Sequence, residues 1–148
     1  MTDPLSQRVK ITEAITEANG VAAATPINGA ILDMSGFESV LIVVVFGAIV
    51  GTAVTSVKAQ RDDAVAMGTA ADILGTGQTV ADTDDGKTFY IDIIRPAERY
   101  VRVVVGRGTA NATVRAAFYI QYDAREHPVT QGATVVGERH IDAIEGTA

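Results

Sequence analysis

The chain has 148 residues, which suits one domain with a buried core and is too short for two ordinary domains. Hydrophobic residues make up 47% and charged residues 20%, so the composition excludes both a disordered chain and a membrane protein. The net charge of -6 opposes binding to nucleic acid, and the absence of cysteine excludes disulfides, zinc–thiolate sites and thiol catalysis.

Residues 1–26 are predicted to form an N-terminal arm. The first residues lack the basic-then-apolar order of a signal peptide, so no export is expected. Val9 and Ile11 alternate as in a strand, whereas Leu5, Val9 and Thr12 have helical spacing. Both secondary structures stay open for this segment.

Residues 27–123 are predicted to form the body, because short apolar runs alternate with Gly, Asp and Pro as in antiparallel β-sandwiches and barrels. The first strand is expected at 27–33. The second, at 39–46, is unbroken in its apolar character and is expected to be central and buried on both faces. The uncharged stretch 40–57 is diluted by Gly and rich in β-branched residues, which predicts two strands joined near 47–51.

A third strand is expected at 52–60, followed by a loop or weak edge strand over 67–86. The sequence Asp84-Asp85-Gly86-Lys87 is a strong turn signal and predicts a hairpin. In the next strand, 88–94, the period of two separates two faces. One face contains Phe89, Ile91 and Ile93, and the other contains Tyr90, Asp92 and Ile94.

Two further strands complete the predicted body. Residues 99–106 place Val101, Val103 and Val105 on one face. Residues 112–123 alternate most clearly, and their apolar face is expected in the core. That face contains Val114, Ala116, Phe118, Ile120 and Tyr122.

Residues 124–148 are predicted to form a C-terminal arm, because they are mostly polar with isolated apolar residues. Those apolar residues are Val135, Val136, Ile141 and Ile144. Two arrangements of the arms are equally compatible with the sequence: contact with other subunits, or folding back on their own domain.

Charge is unevenly distributed along the body. An acidic stretch contains Asp62, Asp63, Asp72, Asp82, Asp84 and Asp85, and a basic stretch contains Arg95, Arg99, Arg102, Arg107 and Arg115. Folding or assembly would pair the two stretches, but solvated surface is the simpler interpretation because exposed charges contribute little.

No catalytic, cofactor-binding or metal-binding residue is predicted, and the chain is not expected to be an enzyme. Both histidines, His127 and His140, fall in the predicted C-terminal arm, where catalytic geometry is hard to maintain. The segment starting at Asp82 resembles a calcium loop, but Gly86 is fifth rather than sixth and Ile93 occupies the twelfth position. A sugar-binding module is an alternative that would use Tyr90, Tyr100 and Tyr119 as an aromatic platform.

Four segments together resemble a group of small head proteins of tailed bacteriophages, over roughly residues 27–128. They are Gly36-Phe37-Glu38-Ser39-Val40, Ala59-Gln60-Arg61-Asp62-Asp63-Ala64, Phe89-Tyr90-Ile91-Asp92 and Arg99-Tyr100-Val101-Arg102-Val103. The resemblance implies a capsid decoration, or cement, protein with a β-sandwich of jelly-roll type and extended arms. Such a protein is made in the host cytoplasm and lies on the outer capsid surface of the virion.

The partner implied by the resemblance is the major capsid protein, with homo-oligomerisation or self-contacts on the shell and no nucleic-acid or membrane partner. A tail or head–tail connector component is the alternative within the virion. In the cement hypothesis the body is a rigid wedge and the arms 1–26 and 124–148 clamp neighbouring subunits. Deleting 124–148 is then expected to leave a folded body that no longer holds the shell, and the acidic loops are expected to contact basic capsid surface.

Overall fold

The computed structural model describes residues 3–140 and Gly146. Helical structure in this part is limited to a 3-10 turn at Leu5–Gln7 and a four-residue helix, α1, at Glu17–Gly20. The strands are β1 (Lys10–Ile15), β2 (Ile27–Asn28), β3 (Leu32–Asp33), β4 (Phe37–Ile49), β5 (Val54–Asp62), β6 (Ala71–Asp72), β7 (Gln78–Val80), β8 (Thr88–Ile94), β9 (Tyr100–Gly108) and β10 (Ala112–Ala124). The predicted all-β class is confirmed. None of the described helices is long and apolar enough to cross a membrane.

The strands form two antiparallel sheets. The four-stranded sheet has the order β1-β10-β4-β8. In the six-stranded sheet β9 pairs with β5, the short strands β2 and β3 pair with successive parts of β9, and β6 and β7 pair with β5. The chain stays in the six-stranded sheet from β2 to β3 and from β5 to β7, and it changes sheet at its other connections.

The two sheets pack face to face around one core. Ile42 and Phe46 of the four-stranded sheet and Val103 of the six-stranded sheet belong to the same buried cluster. The Tyr119 hydroxyl crosses this core: it accepts a hydrogen bond from the Val103 N–H at 2.9 Å and donates to the Ala30 carbonyl oxygen at 2.7 Å. The predicted antiparallel sandwich is therefore confirmed.

The predicted first strand, 27–33, is divided into β2 and β3. Between them, the Gly29 N–H donates to the Val103 carbonyl oxygen at 2.8 Å. A Cβ atom at residue 29 would lie only 2.6 Å from Val103 Cγ1, so glycine permits this close approach of the chain to β9.

The predicted turn at 84–87 is present, but it does not join a hairpin. The Lys87 N–H donates to the Asp84 carbonyl oxygen at 3.1 Å, and Gly86 has a positive φ of 70°. However, β7 pairs with β5 in one sheet and β8 pairs with β4 in the other. The turn therefore carries the chain from one side of the core to the other, and the hairpin prediction is wrong.

The predicted core face of β10 is also wrong over most of its length. Val114 is buried, but the register with β4 shifts on both sides of it. An irregularity that inserts one residue reverses the faces that follow, because side chains alternate with a period of two. Beyond the shift, the side chains that face the core are Ala117, Tyr119 and Gln121. Phe118, Ile120 and Tyr122 lie on the opposite face and are partly exposed.

Part of each predicted arm belongs to the sandwich. Within 1–26, β1 pairs with β10 as an edge strand of the four-stranded sheet, so the strand alternative is the one adopted. Within 124–148, the Val129 N–H donates to the Gln7 carbonyl oxygen at 2.8 Å. Gln131 accepts a hydrogen bond from the Ile11 N–H at 3.0 Å and donates to the Val9 carbonyl oxygen at 2.7 Å. The C-terminal segment thus folds back on its own domain at least as far as residue 131.

Candidate interaction surfaces

The two histidines are surface groups. His127 is exposed, with Nδ1 3.3 Å from the Gln7 carbonyl oxygen, and His140 Nε2 lies 2.8 Å from a carboxylate oxygen of Glu138. Among residues 3–140 and Gly146, no group of three or more His, Cys, Asp or Glu side chains is placed to hold a metal ion.

The acidic stretch closes loops. Asp62 is buried and accepts hydrogen bonds from the N–H groups of Ala64 and Thr69, which shapes the loop after β5. Asp82 accepts from the Thr52 N–H, and Asp85 accepts from the Ile49 N–H. These carboxylates satisfy backbone donors that the turns leave unpaired.

The acidic and basic stretches make no direct ion pair with each other in the described part of the chain. Asp72 pairs with Lys58 at 2.8 Å, and Arg99 forms a two-pronged contact with Asp33 at 2.8 and 2.9 Å. The Gln60 side chain provides an indirect link, because it donates to Asp72 and accepts from Arg102.

Hydrogen bonds hold the pKa of four aspartates below the ordinary value. The largest contribution comes from the Arg99 guanidinium for Asp33, the Ala64 N–H for Asp62, the Lys58 ammonium for Asp72 and the Lys87 ammonium for Asp84. Asp33, Asp72 and Asp84 are exposed or partly exposed, so the separate contribution of each to stability is modest. Asp62 is the buried member of the set.

Acid is expected to destabilise the fold. A carboxyl whose pKa is lower in the folded chain stabilises that chain above its ordinary pKa and loses the contribution as the pH falls through the lowered value. We therefore expect the melting temperature to be level between about pH 7 and pH 5 and to fall below about pH 4. Circular dichroism melts over this range test the expectation. Asp62→Asn should show a shallower acid loss, and a melting temperature unchanged down to pH 3 would contradict the linkage.

The outer face of the four-stranded sheet is apolar. Buried side chains of β4 such as Ile42 and Val44 alternate with partly exposed ones. The register places the exposed side chains of β4 beside those of β10. The set that we call the outer face contains Leu41, Val43, Val45, Phe118 and Ile120. The predicted burial of residues 39–46 on both faces is therefore wrong for the outer side, whose side chains are apolar but only partly buried.

Concavities flank the outer face. One of about 670 Å³ is lined by Leu5, Leu41, Ile120 and Tyr122, where the chain start and the C-terminal segment approach the sheet. Another, of about 290 Å³, includes Val135 of the C-terminal segment. Beyond it, Val136 is 95% exposed. The predicted apolar residues Ile141 and Ile144 lie outside the described residues.

The other long exposed apolar feature is the edge strand β8. Its inward side chains, Ile91 and Ile93, are buried, whereas Tyr90 and Ile94 are 65% and 70% exposed. The faces predicted for this strand are confirmed. Tyr90 and Ile94, with the exposed Asp92 between them, extend the outer face to the edge of the sheet, because β8 pairs with β4.

The three tyrosines of the sugar-binding alternative do not form a platform. Tyr119 is fully buried between the sheets, Tyr90 lies on the four-stranded sheet, and Tyr100 lies on β9 of the six-stranded sheet. An aromatic platform needs exposed rings on one surface, which this arrangement does not provide.

No family model matches the chain, and no curated protein matches its sequence. Among solved structures, the chain is similar to the PBSX exported protein XepA, with a TM-score of 0.53 and 16% sequence identity. The similarity covers 96% of this chain and 46% of XepA, so the chain spans less than half the length of that protein. At this level of identity the similarity establishes a shared fold.

Proposed function

We propose that this protein is a structural component of a phage virion that binds the outside of the capsid and bridges neighbouring major capsid subunits. The observation that carries the proposal is the partly exposed apolar outer face, with Val43 at its centre. Large contiguous apolar patches on a folded domain typically mark interaction sites. The role requires binding and no catalysis.

Energetics favour a protein partner for this face. Fully burying an aliphatic or aromatic side chain is worth about 1.5–3 kcal/mol, so completing the burial of several partly exposed ones stabilises a complex substantially. The net charge of -6 disfavours a nucleic-acid partner, as phosphate backbones require clustered cations. On a symmetric shell, repetition multiplies modest contacts through avidity.

Two similarities support a virion role. The sequence resembles tailed-phage decoration proteins over the body, and the fold is similar to that of the PBSX exported protein XepA. Both are consistent with a small sandwich that works within a phage particle.

The arm part of the proposal now concerns the residues after Gln131. Residues up to Gln131 contribute hydrogen bonds to β1 and belong to the folded domain. A deletion that tests the clamp therefore begins at residue 132 rather than 124, since Ala124 itself pairs with Phe37 in the sheet.

The first experiment is quantitative mass spectrometry of purified particles. A copy number comparable to that of the major capsid protein supports a shell-wide role. A handful of copies indicates a tail or connector component instead, and absence from the particle contradicts a virion role.

The outer face is tested by Val43→Lys in sedimentation with purified capsids that lack this protein. Val43 is partly exposed, so lysine should leave the fold intact. The lysine ammonium stays hydrated, which opposes contact between this face and the capsid. We expect at least about tenfold weaker binding, or about 1.4 kcal/mol. Val65→Lys is the matched control, because Val65 is 62% exposed in the loop after β5. Equal binding by both variants would show that another surface contacts the capsid.

A further inference from the structure

The strand β8 has a free edge whose hydrogen-bonding groups can be assigned. The Phe46 N–H donates to the Lys87 carbonyl oxygen, and the Arg95 N–H donates to the Glu38 carbonyl oxygen. Because the bonded pairs alternate along an antiparallel ladder, the backbone groups of the odd-numbered residues of β8 point toward β4. The Gln78 side-chain amide reaches the Tyr90 carbonyl oxygen from the other side, at 2.8 Å. The backbone groups that point away from the sheet are those of Thr88, Tyr90, Asp92 and Ile94.

Apart from the single contact of the Gln78 side chain with the Tyr90 carbonyl oxygen, this edge lacks the features that protect edge strands from pairing. Proteins block such edges with bulges, proline, lysine, short strands or a covering segment. The opposite edge, β1, has a register shift between Glu13 and Ile15 and is covered by the Gln131 side chain. The edges of the six-stranded sheet are divided into strands of two or three residues. In contrast, β8 has seven residues, a regular register with β4 and no proline or lysine.

The two ends of β8 carry opposite charge. Before the strand, the acidic turn contains Asp82, Asp84 and Asp85, with Lys87 as its one basic residue. After it come Arg95 and Arg99, with Glu98 as the one acidic residue between them. Arg95 is exposed and has no ion pair among the described residues. Antiparallel pairing of β8 with a second β8 brings the acidic end of each strand to the basic end of the other.

We propose that β8 pairs with β8 of a second copy of this chain about a twofold axis at Ile91. In this register Tyr90 faces Asp92 of the second copy and Thr88 faces Ile94, so the two Asp92 carboxylates are not directly opposed. The Asp92 N–H of the second copy replaces the Gln78 amide on the Tyr90 carbonyl oxygen. The interface is isologous and closes at two copies.

The pairing joins two four-stranded sheets into one of eight strands. The outer faces of the two copies then become continuous, which doubles the apolar surface available to a partner. The self-pairing concerns the chain's own contacts and holds whether or not that partner is a capsid. A strand donated by a different protein would use the same edge and is separated from self-pairing by the experiment below.

The experiment is analytical ultracentrifugation of the full chain over a range of concentrations. We expect a reversible dimer that is weakened by salt, because the charged ends contribute to it. In the double variant Thr88→Lys/Ile94→Lys, each new lysine directly opposes another across the axis, and we expect dimerisation to weaken by at least about tenfold. Thr88→Lys/Ile94→Glu places opposite charges at the same positions and should restore it.

The matched control is Val54→Lys/Val65→Lys, which adds the same charge at exposed positions away from β8 and should dimerise like the parent chain. Unchanged melting temperatures show that the variants fold. A chain that is monomeric at every concentration overturns the proposal and leaves the capsid role to its own test. A dimer that is indifferent to both variants at residues 88 and 94 overturns it too, because it places the contact elsewhere.

Discussion

Replacing Tyr119 with phenylalanine is expected to lower the free energy of unfolding by about 1–3 kcal/mol. The hydroxyl bonds to the Val103 N–H and the Ala30 carbonyl oxygen in the interior, and its removal leaves both groups without that partner. Burial raises the pKa of Tyr119 far above its ordinary value, so the hydroxyl stays protonated and able to donate. Tyr119→Ala also creates a cavity and should lose about 3–5 kcal/mol or more.

Tyr122→Phe is the matched control for Tyr119→Phe. Tyr122 lies on the same strand but on the outer face, where its hydroxyl donates to an Asp92 carboxylate oxygen at 2.6 Å. Water replaces that partner when the hydroxyl is lost, so we expect a change below about 1 kcal/mol. Urea denaturation of the three variants measures the differences. Equal losses from Tyr119→Phe and Tyr122→Phe would show that the bridge between the sheets is not a major contribution.

Alternation of side chains along the sequence predicts both the bounds and the faces of a strand only where no irregularity interrupts the strand. For β8, both the bounds at Thr88–Ile94 and the two faces follow from the period of two. For β10, the bounds are predicted to within one residue, but the faces are reversed after Val114. The shift in register depends on pairing with β4, which residues within β10 do not specify. Chemically, the buried side chains Tyr119 and Gln121 are more polar than Phe118 and Ile120, which misdirected the prediction.

The sequence feature that corresponds to the outer face is the unbroken apolar run of β4. An unbroken apolar strand indicates two covered faces, and the sandwich covers only one face of β4. The apolar composition of the second face therefore fits the proposal that a partner covers it. Which partner does so depends on surfaces outside this chain, so sequence patterns within it do not specify the partner.

The hydrogen bonds of the arms are also beyond the reach of local pattern. Gln131 bonds to backbone groups of Val9 and Ile11, more than a hundred residues earlier, and its sequence neighbourhood is polar. Any surface glutamine offers the same local signal. Only the topology, which places β1 beside the end of β10, brings these residues together.

Replacing Arg107 with alanine is expected to destabilise the fold by about 2–4 kcal/mol. The side chain is 6% exposed and donates to three carbonyl oxygens: Thr25 at 2.7 Å, Val21 at 2.7 Å and Ala112 at 2.9 Å. These bonds tie the segment after α1 to the ends of β9 and β10. Burial lowers the pKa of Arg107, but arginine remains charged in proteins, so the carbonyl dipoles must solvate it.

Arg102→Ala is the matched control, because Arg102 lies on the same strand with its guanidinium on the partly exposed Gln60 side chain. Arg107→Lys should be intermediate, since a lysine ammonium cannot reproduce the planar fork of donors. Hydrogen exchange gives a local readout: the Ala112 N–H, which donates to the Ala23 carbonyl oxygen at 3.0 Å, should exchange faster in Arg107→Ala. If Arg107→Ala and Arg102→Ala lose the same stability and leave that amide unchanged, the buried guanidinium does not hold the segment, and β1 and β10 alone fix its position.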